Sequence, residues 1–117
     1  MRALVFLLLL IPGPWLAAEE SSGRQVDFGL KVAQKGLWQE ARFRFERAVQ
    51  LDPGNAAALN DLAVALEQMG EFAEARKAYE KALELKPGDI YIQQNYDLFR
   101  EADDKRNRKS RKKKAQP

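Results

Sequence analysis

The side chains that carry most enzyme chemistry are scarce in these 117 residues: there is no His, no Cys and no Thr, and Ser occurs only at Ser21, Ser22 and Ser110. Without Cys or His there is no thiol nucleophile, no imidazole base and no zinc or iron site of the usual ligand types. What remains is carboxylate and cation chemistry, from 17 acidic and 20 basic residues. A carboxylate pair can work as acid and base, but one member then needs a pKa raised by burial, and the residue pattern marks out no such Asp or Glu. The acids do not gather in an Asp-x-Asp-x-Asp-Gly loop, and neither G-x-x-x-x-G-K-[ST] nor G-x-G-x-x-G occurs. The expectation is a chain with no catalytic site, no metal and no cofactor, whose chemistry is recognition.

Charge is the next resource for recognition, and its placement matters more than the total of +3. Residues 19–104 hold 11 basic and 17 acidic side chains, net −6, whereas 105–117 hold eight basic and none acidic. Lys105, Arg106, Arg108, Lys109, Arg111, Lys112, Lys113 and Lys114 are alike in sign and have almost no apolar company, so the sequence predicts a disordered tail. Such a tail attracts polyanions: an anionic membrane at about 1 kcal/mol per Lys or Arg near the surface, or nucleic acid through counterion release. No aromatic residue follows Phe99, which favours lipid or another surface polyanion over stacked single-stranded nucleic acid. The plainer alternative is a solubilising tail lying loosely on its own acidic body.

The amino-terminal residues read as an address rather than as part of the fold. Arg2 precedes the apolar run from Ala3 to Ile11, and Pro12, Gly13 and Pro14 lead to the small residues Ala17 and Ala18. That is the layout of a secretory signal over 1–18, with cleavage expected after Ala18. The run is too short for the roughly 20 residues a membrane-crossing helix needs. Expected locations are the periplasm or the cell exterior, with an uncleaved, membrane-attached form as the alternative.

The elements that must position any binding residues show in an internal repeat. Shifted by 34 residues, 22–55 align with 56–89, and 11 of the 34 pairs are identical. Gly36 falls on Gly70, Glu40 on Glu74, Ala41 on Ala75, Ala48 on Ala82, Leu51 on Leu85 and Pro53 on Pro87. Leu59, Leu62, Ala63 and Leu66 recur at the i, i+3, i+4, i+7 spacing of one helix face, and Phe72, Ala75, Tyr79, Ala82 and Leu83 continue it in a second helix. Gly70 permits the turn between the two, and Pro87 with Gly88 ends the second. Two helices joined by so short a turn lie antiparallel. Asn55 and Asp89 are placed as N-caps, so a fifth helix follows over 90–104, its stripe Ile92, Tyr96 and Phe99 covering the last core face.

These residues resemble the tetratricopeptide repeat, a 34-residue pair of antiparallel helices. The resemblance implies an all-α fold: a right-handed α-solenoid of two helix-turn-helix hairpins plus a C-terminal capping helix. The division is then signal 1–18, linker 19–21, repeats 22–55 and 56–89, cap 90–104 and basic tail 105–117. In this family the first helix of each hairpin lines a concave groove, which places Val26, Leu30, Ala33, Asn60, Val64, Glu67, Gln94 and Leu98 toward a partner. The chaperone-binding members hold a carboxylate with a basic, Asn-rich clamp. Here Val26 and Leu30 stand where Lys and Asn are expected and Asp61 replaces an Asn, so an acidic chaperone tail is disfavoured. The resemblance implies a peptide or protein partner of other chemistry, extended or helical. Two hairpins are few for a continuous core, so self-association is a further expectation.

Overall fold

The computed structural model describes residues 20–117, so the signal over 1–18 lies outside the described residues. Among the described residues five helices follow one another: α1 Ser22–Gln34, α2 Trp38–Leu51, α3 Ala56–Gln68, α4 Phe72–Leu85 and α5 Ile90–Ala115. No helix among the described residues is long and apolar enough to cross a membrane.

Local chemistry sets each boundary. Ser21, Asn55 and Asp89 cap α1, α3 and α5, their side-chain oxygens accepting from the backbone N–H of Arg24, Ala58 and Ile92 at 3.0–3.2 Å. Each satisfies an N–H that the first turn leaves without a helical partner. Within the hairpins, Gly36 and Gly70 adopt φ of 74° and 78°. The N–H of Gly36 and Leu37 donate to Ala33 and Val32, and those of Gly70 and Glu71 donate to Glu67 and Leu66. This paired hydrogen-bond pattern closes a helix through a left-handed residue, which glycine adopts at no steric cost.

The hairpins stack through small residues. Ala41, Ala48, Ala63, Ala75 and Ala82 are fully buried and let the axes approach, while Phe45, Tyr79 and Phe99 fill the spaces left over. At the α1–α2 crossing Phe45 demands more than an alanine would allow: a Cβ on Gly29 would stand 2.5 Å from its ring. Ser22 Oγ donates to the Ala48 carbonyl at 2.8 Å and accepts from Asn55 Nδ2 at 2.9 Å, tying the start of α1 to the end of α2 and the cap of α3. The outer face of α1 is different. Where α3 buries Ala58, Leu59 and Ala65, the positions 34 residues earlier are Arg24, Gln25 and Lys31, and the exposed Phe28 is covered by the Arg44 guanidinium 4.3 Å above its ring. Arg24, Phe28 and Lys31 are exposed on this face, and Gln25 is half-buried.

At the other end, α5 buries Ile92 and Phe99, and Tyr79, Tyr96 and Phe99 pack with ring centroids 5.4–6.4 Å apart. The helix departs from expectation beyond residue 104. Residues 105–115 are not disordered but continue α5 to Ala115. The residue 34 positions after Gly70 is Asp104, so no glycine supplies the left-handed turn, and the helix runs on. Glu101–Lys105, Asp103–Arg106 and the Asp104 carbonyl with Arg108 brace the extension at helical spacing. Its terminal Lys112, Lys113 and Lys114 also sit where the helix dipole favours cations.

Candidate partner-binding groove

On the first helices α1, α3 and α5 equivalent positions recur at intervals of 34: Val26, Asn60 and Gln94 in one row, and Leu30, Val64 and Leu98 in another. These rows do not form one uniform surface. Leu30, Ala33 and Val64 converge with Gln34, Trp38, Phe45 and Asp61 on a pocket of about 260 Å³ between the two hairpins. Leu30 is 42% exposed and open to a partner. Asn60 is occupied otherwise, accepting from Asn95 Nδ2 at 3.1 Å and so fastening α5 to α3. Glu67 accepts from the Tyr79 hydroxyl at 3.1 Å, which ties it to α4. Val26 is half-buried outside the pocket, and Gln94 and the 67%-exposed Leu98 stand apart on α5.

The pocket is walled by aliphatic side chains, two aromatic residues and Gln34, and Asp61 is its one charged lining residue. Burial raises the carboxyl of Asp61 to about 6, and a hydrogen bond with Asn60 works against that rise. No Lys or Arg among the described residues forms an ion pair with it. The pocket is slightly smaller than the roughly 300–1,000 Å³ of cavities that enclose a drug-sized ligand. It suits a single side chain. The sequence reading gives Asp61 only as a lost clamp residue and does not place it in a pocket. The one available signal is the recurrence of Asp27 at Asp61, one of the identical pairs of the repeat.

The basic residues of α5 divide into two groups. Arg106 is withdrawn: its guanidinium lies 3.4 Å above the Phe72 ring and pairs with Asp103 at 3.1 Å. Asp103 in turn holds Arg76 of α4 at 2.8 Å, and that hydrogen bond, with help from Arg106, keeps the Asp103 carboxyl below its ordinary range. Lys105 pairs with Glu101, and Arg108 donates to a backbone carbonyl. Lys109, Arg111, Lys112, Lys113 and Lys114 are exposed along the end of the helix, with no ion pair among the described residues.

Known proteins share this helical fold. The crystal structure of MamA protein matches with a TM-score of 0.68 at 28% sequence identity, over 80% of this chain and 51% of that one, so this chain spans about half the length of the other. No curated protein matches. The model of the family described as tetratricopeptide repeat matches residues 33–94, from the end of α1 into α5. That match takes in more than half of the residues, and the chain belongs to the tetratricopeptide repeat family.

Proposed function

We propose that this protein is a non-catalytic scaffold that holds a peptide or partner protein in an extracytoplasmic assembly. Repeats of this family mediate protein–protein interaction, and the observation that carries the reading here is the open pocket where Leu30, Ala33 and Val64 meet between α1 and α3. The Arg2 and Ala3–Ile11 pattern supports export, with a mature chain beginning at Glu19. The test is affinity purification of the full chain from its native host. The recovered protein should begin at Glu19 and bring down a defined partner, and Leu30→Arg with Val64→Arg should lose that partner while keeping the helical spectrum. Equal partner recovery by the variant would sink the groove reading.

A second reading has its own support in the exposed basic end of α5. Five cations with no ion pair among the described residues, on a continuous helix, make an electrostatic tether to an anionic membrane surface, or less favourably to nucleic acid. The two readings are compatible, because the groove and the basic helix end use different residues.

A further inference from the structure

An ionised carboxylate set among Leu30, Ala33, Val64, Trp38 and Phe45 has given up much of its water without gaining a cation in return. Such a group is costly alone and becomes favourable when a partner supplies the opposite charge. The body around it is acidic, net −6 over residues 19–104, which attracts cationic segments before contact. The walls specify more than charge. Aliphatic stems of Lys and Arg pack along apolar surface while the head reaches a polar group, and Trp38, the aromatic type that cations bind best, is among the lining residues.

We propose that the pocket between α1 and α3 receives a lysine or arginine side chain from a basic and apolar segment of a partner protein. Asp61 takes the cation, Trp38 and Phe45 enclose the stem, and the exposed Leu30 meets a neighbouring apolar residue of the segment. This rests on the groove reading above and names what the groove selects. A second copy's basic helix end is the less fitting occupant, since Lys105 to Lys114 includes no apolar residue to meet Leu30 and Val64.

The test is titration of the full chain with four acetylated, amidated peptides followed by fluorescence anisotropy: alternating Leu–Lys, alternating Leu–Gln, alternating Leu–Glu, and a copy of residues 105–117. The Leu–Lys peptide should bind about tenfold or more tightly than Leu–Gln, the scale of one charge-assisted contact, and Leu–Glu should bind weakest. Asp61→Asn should bring Leu–Lys down to the Leu–Gln level and leave Leu–Gln unchanged. Absence of binding by every peptide, equal binding of Leu–Glu, or an unchanged preference in Asp61→Asn would overturn the proposal, as would tightest binding of the 105–117 copy, which would identify a second chain as occupant. Leu30→Arg with Val64→Arg separates the two layers. If it abolishes all binding while Asp61→Asn spares the charge preference, the groove stands and the cation site falls; if it changes nothing, the groove reading falls as well.

Discussion

Asp61 trades stability for a charge held in a half-buried place. Its folded-state pKa, about 6, lies above the ordinary 3.8, so the folded chain binds this proton more tightly than the unfolded chain does. The stabilising contribution is whole below pH 3.8 and is lost as pH rises through about 6. Asp61→Asn removes the ionisation and keeps the shape. The variant should therefore melt higher than the parent at neutral pH, and the parent's decline in Tm between about pH 4 and 7 should flatten; parallel melting curves across that range would contradict the assignment. Gly29 makes a complementary case, where space rather than charge decides. A methyl group there meets the Phe45 ring at 2.5 Å, so Gly29→Ala should cost about 1–3 kcal/mol through overpacking. Thermal unfolding reads that loss, and an unchanged Tm would mean that Phe45 finds another seat.

At the scale of the helix, a single position separates a hairpin from a rod. Gly36 and Gly70 end α1 and α3, and Asp104 stands where a third such glycine would fall. Asp104→Gly lowers helix propensity by only roughly 0.3 kcal/mol but allows the left-handed turn. Amides of residues 105–115 should then lose protection in hydrogen exchange while α1 to α4 keep theirs; full protection would assign the extension to its side-chain braces alone. The hairpins were legible in the sequence because a 34-residue period, two turn glycines and two Pro-Gly breaks all act locally. The basic end was misread because composition speaks to whether a segment can build its own core. A helix already started by Asp89 and anchored by Ile92 and Phe99 needs no core to continue. The pocket was only partly legible: Leu30, Ala33 and Val64 follow from register, but the desolvation of Asp61 depends on how closely α1 packs on α3.

The whole molecule is an acidic groove-bearing body joined to a cationic helix end. If the end tethers the protein, deletion of 105–117 should abolish binding to anionic vesicles, and the parent's binding should weaken steeply with salt. The contributions should be unequal. Lys112→Gln with Lys113→Gln should reduce vesicle affinity about tenfold or more, whereas Arg106→Gln should change it little because Asp103 and Phe72 already hold that guanidinium. Salt-insensitive binding, or an Arg106→Gln effect equal to the lysine pair, would count against the tether. The rigid extension also bears on the groove. Asn95 lies level with α3 through its bond to Asn60, and at 1.5 Å per residue Lys105 is about 15 Å farther along the axis and Lys114 about 28 Å. A flexible tail would hold its own cations near Asp61 at millimolar effective concentration. The helix takes that internal competitor out of reach, and leaves the carboxylate to an intermolecular ligand at its true concentration in solution.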